Sequence, residues 1–189
     1  MGGKFVTDGT GACAYELDAE LRIRAVDPAW SAFAQANEAA ELVVPPGPLG
    51  QPVFGYIQDA TTVHLYQRLF ERVLRTARPV GFRFRCDSPE VRRFLEMEIR
   101  PRRSSGLQLH TRVVRLEPRA PSPLLDRAGQ RGGALLRMCS WCKAVDVGDR
   151  WCEVEDAVIA LRLFERELLP AITHGICPPC HKRVEALLE

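Results

Sequence analysis

The chain has 189 residues, 46% hydrophobic and 26% charged, which is enough apolar material for a packed core and excludes wholesale disorder. Lys+Arg total 26 against 24 Asp+Glu, and the balance holds in both halves: 16 basic against 14 acidic residues up to position 117, then 10 against 10. Neither half has the basic excess on which phosphate-backbone binding rests, so nucleic acid is disfavoured as a partner. No apolar run approaches the ~20 residues of a membrane span, and the opening MGGKFVTDGTGAC has no apolar segment of a secretory signal. A cytoplasmic protein away from membranes is expected, whose seven cysteines are thiols or metal ligands rather than disulfides.

After a flexible N-terminus at residues 1–13, Tyr15 to Val26 reads as a β-hairpin around the polar turn Asp18-Ala19-Glu20. Asp27-Pro28 then starts a helix, with Asp27 as N-cap and proline at the first helical position. That helix carries Trp30 and Phe33 and ends in the proline-rich VVPPGPLGQP. A second helix is predicted over Thr62 to Thr76, where Leu65, Leu69 and Val73 recur at helical spacing beside Tyr66, Phe70 and Leu74. Three strands follow, Val80 to Cys86, Arg93 to Pro101 and Leu107 to Val113, each alternating apolar and polar side chains. Their short connections suit antiparallel hairpins. Arg83, Arg85, Arg100 and Arg112 fall on the polar faces with Glu96 and Glu98, where cross-strand ion pairing explains them. A protein-docking face is the alternative.

The expected fold class is therefore α+β, a five-stranded antiparallel sheet with inserted helices over residues 14–118. The strand-strand-helices-strand-strand-strand order resembles the PAS sensory fold. The segments LDAELRIRAVDPAWSAFA and LGQPVFGYIQDATTVHLYQRLFERVLRTARPVGFRFRCD are similar to PAS modules, with Asp27 where that family usually has asparagine. The resemblance implies a space between the inner sheet face and the helices. Phe33, Tyr56, Leu65, Leu69, Phe82, Phe84, Leu95, Met97 and Leu109 would line it. Such a lining suits a small apolar or aromatic ligand held noncovalently, or else it is simply packed core.

Glu117 to Ala134 holds three prolines and three glycines without a sustained period, so residues 119–134 read as a linker to a C-terminal domain at 135–189. There Cys139-Ser140-Trp141-Cys142 and Cys177-Pro178-Pro179-Cys180 form two C-x-x-C pairs with 34 residues between them (143–176). Each spacing lets a tight turn aim two thiolates at one ion, and two turns complete a tetrahedron. The gap should contain one long helix over Val154 to Leu169, with Ala157, Leu161, Phe164 and Leu168 on one stripe and Pro170 as its stop. His174 and His181 flank the second pair and are candidate replacements for a cysteine ligand. Cys152 reads as a small apolar side chain. Trp151 reads as a core anchor, and Glu155 as a cap or ion-pair partner.

The segment CSWCKAVDVGDRWCEVEDAV…LPAITHGICPPCHKRV resembles a cysteine-rich tail of bacterial PAS-containing signalling proteins. That resemblance implies a structural zinc held by Cys139, Cys142, Cys177 and Cys180. Four cysteines leave no open position for catalysis, and no hydrolase, deaminase, kinase or Walker signature is present, so an enzyme is not expected. The function read from the sequence is a signal-sensing or regulatory module. Its PAS-like part would bind a small ligand or partner, and its zinc tail would dock on a protein, with a second copy of the chain as one candidate. The alternatives are a zinc-dependent nucleic-acid-binding regulator and a thiol redox switch.

Overall fold

The computed structural model describes residues 12–30, 32, 47–57, 59–102, 105–126 and 129–189. The chain divides into two compact units, one of Met1–Tyr56, Phe70–Phe82 and Glu96–Val113, the other of Ile57–Leu69, Arg83–Leu95 and Val114–Glu189. The α+β class expected from the sequence is what the structure shows. A five-stranded antiparallel sheet contains β1 (Ala12–Leu17), β2 (Ile23–Val26), β3 (Val80–Arg85), β4 (Val91–Pro101) and β5 (Leu107–Pro118), in the order β2-β1-β5-β4-β3. No helix among the described residues is long and apolar enough to cross a membrane.

The hairpin of β1 and β2 pairs Tyr15 with Val26 and Glu16 with Ala25. Its turn is built by Asp18, whose Oδ1 accepts the backbone N–H groups of Glu20 at 3.0 Å and Arg22 at 2.8 Å. Asp27 is the predicted cap: its Oδ1 accepts the Trp30 N–H at 2.8 Å, while Oδ2 accepts the Ala14 N–H at 2.7 Å. One carboxylate therefore starts the helical turn at 28–30 and ties it to β1. The rest of that predicted helix, with Phe33, lies outside the described residues.

Helix α1 (Ala60–Thr76) begins two residues before its predicted start, because Asp59 caps it. Asp59 Oδ2 accepts the Thr62 N–H at 2.8 Å. The helix buries the apolar stripe Leu65, Leu69, Phe70 and Val73 and leaves Leu74 exposed. In the first unit, Leu17, Ile23, Met97, Ile99, Leu107 and Leu109 point inward from their strands and are buried. Gly106 closes the β4–β5 turn at φ +88°, and a Cβ there would stand 2.1 Å from the Leu17 carbonyl oxygen. No side chain fits that approach.

The second unit carries a four-stranded sheet, order β8-β7-β6-β9, from β6 (Arg131–Cys139), β7 (Val145–Asp146), β8 (Trp151–Cys152) and β9 (Leu169–Gly175). The stretch read as a linker is structured in part. Ser122 and Leu124 are buried, Pro123–Leu125 form a 3-10 turn, and β6 begins at Arg131. The long helix over 154–169 is corrected by the structure. Helix α2 spans only Val154–Ala160, Arg162 turns left-handed at φ 51°, and Leu163–Glu165 form a 3-10 turn before β9. The reason lies in what each apolar residue can reach. Val154, Ala157 and Leu163 are buried in a core with Leu124, Leu136, Met138 and Val145, while Phe164 and Leu168 of the expected stripe are exposed. Breaking the helix at Arg162 lets Leu163 into that core and frees 169–175 to pair as a strand.

Gly106→Ala should destabilise the protein by about 1–3 kcal/mol, from left-handed strain and the clash with Leu17. Urea denaturation of the full chain measures it, and an unchanged midpoint would contradict the close approach.

Candidate metal centre

The site is made by strand pairing. β6 and β9 run parallel, with Met138 opposite His174 and Cys139 opposite Gly175. Parallel neighbours end at the same edge of a sheet, so the turn that follows β6 and the turn that follows β9 meet there. Such pairing demands a long crossover, and residues 140–168, with β7, β8 and α2, supply it.

The first turn folds back on itself. The Cys139 N–H donates to the Ala144 carbonyl at 2.7 Å, the Lys143 N–H donates to the Cys139 carbonyl at 3.0 Å, and Lys143 sits at φ 62°. The second turn is the start of helix α3 (Pro178–Ala186): Cys177 is its N-cap in extended conformation, with proline in the first helical positions. Prolines fit there because those N–H groups have no helical acceptor. The Ser140 N–H donates to the Gly175 carbonyl at 2.8 Å and the Cys177 N–H points at Cys139 Sγ at 3.4 Å, which locks one turn to the other.

The result brings together all four predicted ligands. The Sγ atoms of Cys139, Cys142, Cys177 and Cys180 lie within 4.8 Å of one another, and Cys142 Sγ is 3.6 Å from Cys177 Sγ. Zinc–thiolate bonds of ~2.3 Å in a tetrahedron imply sulfur–sulfur edges of about 3.8 Å, so a metal ion fits the set. Four soft sulfurs in that geometry suit zinc or iron over hard cations. As bare thiols they conflict. Hydrogen bonds from Cys142 and Cys180 hold the Cys139 thiol well below the usual range, while facing Cys139 and Cys180 pushes the Cys142 thiol far up. Cys139 likewise pushes Cys180 up to about 12. A divalent cation removes the conflict by letting all four ionise.

Two features escaped the sequence reading. Arg183, one helical turn after Cys180, donates Nη2 to Cys180 Sγ at 2.8 Å and offsets charge on that sulfur. Its signal was the i, i+3 spacing on a helix not yet placed. The second is a buried ion-pair network in the same unit. Arg85, read as solvated, is buried, and its guanidinium meets Asp87 at 2.5 Å and Glu153 at 2.7 Å. Burial opposes the Arg85 charge, but its hydrogen bonds to Asp87 and Glu153 outweigh it and hold the group charged. Arg119 contacts Asp87 at 3.0 Å and Glu155 at 2.9 Å, and Arg92 reaches Glu155 at 2.6 Å. Glu153 and Glu155 flank the start of α2, so the network fixes that helix. Burial lowers the Lys143 pKa, with Cys86 and Asp87 opposing, and its Nζ donates to the Ser140 carbonyl at 3.0 Å across the first turn.

Neither flanking histidine joins the cluster: His174 is exposed on β9, and His181 Nδ1 faces Glu185 at 3.3 Å. Cys152 is half-buried on β8, outside the set. Trp151 is half-buried under Arg137, 5.2 Å above its ring, whereas Trp141 is the buried tryptophan and packs on Tyr66 at 5.4 Å. Of the predicted pocket lining, Leu65, Leu69, Phe82, Leu95, Met97 and Leu109 are buried, Phe84 is half-buried, Tyr56 is exposed and Phe33 lies outside the described residues. A groove of about 500 Å³ in the first unit runs elsewhere, past Ala12, Gly81, Glu96, Glu98, His110 and Arg112, and shares Met97 with that lining. Of the strand arginines, Arg112 forms the expected cross-strand pair, with Glu96 at 2.7 Å, whereas Arg100 pairs at 2.7 Å with Glu98 on its own strand.

No protein-family model matches the chain, and no curated protein matches it.

Cys177→Ser should lose the metal, because a hydroxyl is a poor zinc ligand, whereas Cys152→Ser should keep it; elemental analysis of the purified variants reads both. Full metal retention in the first would reject the ligand set. Asp87→Ala leaves two buried guanidinium groups short of a carboxylate and should cost about 3 kcal/mol or more in urea denaturation.

Proposed function

We propose that the chain is a non-enzymatic regulatory module. In this reading its C-terminal part is organised by one structural zinc and docks on a protein partner, and its PAS-like sheet senses a small apolar ligand or a partner. The observation that carries it is the four-sulfur cluster within 4.8 Å at the shared end of two parallel strands. Four thiolates fill a tetrahedral zinc and leave no position for water or substrate, which supports a structural role. The chemistry the metal supplies is cross-linking. Cys139 and Cys142 hold it from the end of β6, Cys177 and Cys180 from the start of α3, and Arg183 offsets the excess negative charge of a tetrathiolate centre.

The PAS-like reading is supported by the strand-strand-helix-strand-strand-strand order and by the resemblance of the hairpin and α1 segments. A protein partner rather than nucleic acid is supported by the net charge of +2 and by apolar side chains left on the surface of the second unit. Leu135, Ile159 and Phe164 are 72%, 66% and 68% exposed.

Native mass spectrometry of the purified chain should show one zinc per chain. A strong chelator should then unfold the second unit, because apparent zinc binding of about 10–16 kcal/mol is folding energy. Circular dichroism and a tryptophan signal from Trp141 would follow the loss. A chain that purifies without metal, or whose melting is indifferent to chelation, would overturn the structural-zinc reading.

A further inference from the structure

The four cysteines differ in what guards them. Cys139, Cys177 and Cys180 are buried, and Cys142 is half-buried. Cys180 Sγ accepts the Arg183 guanidinium at 2.8 Å and Cys139 Sγ accepts the Cys177 N–H at 3.4 Å. Donated hydrogen bonds draw charge from a thiolate and weaken it as a nucleophile, and burial blocks the approach of an oxidant. Cys142 Sγ also accepts a backbone hydrogen bond, from the Ala144 N–H, so what sets it apart is exposure: it is half-buried where the other three are buried. Across from it on the other turn stands Cys177 Sγ, 3.6 Å away.

We propose that Cys142 is a modification site for hydroperoxides and that Cys177 resolves it, so that oxidation closes a Cys142–Cys177 disulfide and releases the metal. The proposal rests on the zinc reading above. The Cys142 thiolate attacks a peroxide oxygen; an S–O bond forms, the O–O bond breaks, and the electron pair leaves on the second oxygen, which takes a proton from water. The Cys177 thiolate then attacks the sulfenic sulfur, forming the S–S bond and expelling hydroxide. Two thiolates lose two electrons and the peroxide gains them. Cys139 and Cys180 remain, two ligands where a structural zinc needs four. The new bond still ties the end of β6 to the start of α3, so the cross-link changes chemistry without changing the elements it joins.

The full chain loaded with one equivalent of zinc is titrated with hydrogen peroxide. A chromogenic chelator reads released zinc, and peptide mapping without reductant reads the disulfide. One zinc should leave per disulfide formed, and the cross-linked peptides should contain Cys142 and Cys177. Cys86→Ser and Cys152→Ser should release zinc at the unaltered rate. A dominant disulfide inside one C-x-x-C turn, release without any disulfide, or zinc retained while Cys86 and Cys152 are oxidised would each overturn the proposal and leave the zinc reading intact. A chain that takes up no zinc fails at the loading step and overturns both.

Discussion

The parallel pairing of β6 with β9 is the constraint on which the second unit depends. Parallel strands finish at the same edge, so whatever follows each strand is delivered to one place. Here a C-x-x-C turn begins at the last residue of β6 and another begins two residues after β9. Antiparallel pairing of the same strands would send the turns to opposite ends, a strand length apart, with no tetrahedron to fill. The crossover that parallel pairing requires is also the element that builds the core, since Val154, Ala157 and Leu163 come from it. The four-sulfur cluster and the hydrophobic core are two results of one topological choice.

Charge organises the rest of that unit. Asp87 and Arg119 are almost wholly buried, an arrangement whose desolvation cost makes it specific rather than strongly stabilising. What it specifies is position: through Glu153 and Glu155 it fixes where α2 starts, beside β7. The exposed pairs of the first unit, such as Arg112 with Glu96, have no such task and contribute little. Arg183 and the Cys177 amide then distribute hydrogen bonds unevenly over the four sulfurs.

Much of this was legible in the residues. Period-two alternation placed β3, β4 and β5 to within two residues at their starts, and Asp18 and Asp27 announced the turn and the cap they make. Each C-x-x-C pair followed from spacing, since such a turn is local geometry, but that the two pairs meet depends on the parallel pairing of β6 with β9. The long helix over 154–169 was not legible correctly. Its apolar stripe matched a helical period, but Leu163, off that stripe, competes for the core and wins by breaking the helix at Arg162. Arg85 was misplaced for a related reason. Alternation predicts an outward side chain, and two carboxylates draw it inward, Asp87 two residues on and Glu153 from a distant segment.

The sequence by itself determined which side chains could bind a metal, which segments of the first sheet would pair as strands, and where its hairpin turn and caps would fall, because each of these rests on contacts within a few residues. Tertiary structure decided that β6 and β9 lie parallel, that 169–175 is a strand, that Arg183 meets Cys180, and that Cys142 is the more exposed sulfur. These depend on where segments separated by tens of residues come to rest. Burial and charge pairing settle that jointly over the whole unit, and no local pattern encodes the outcome.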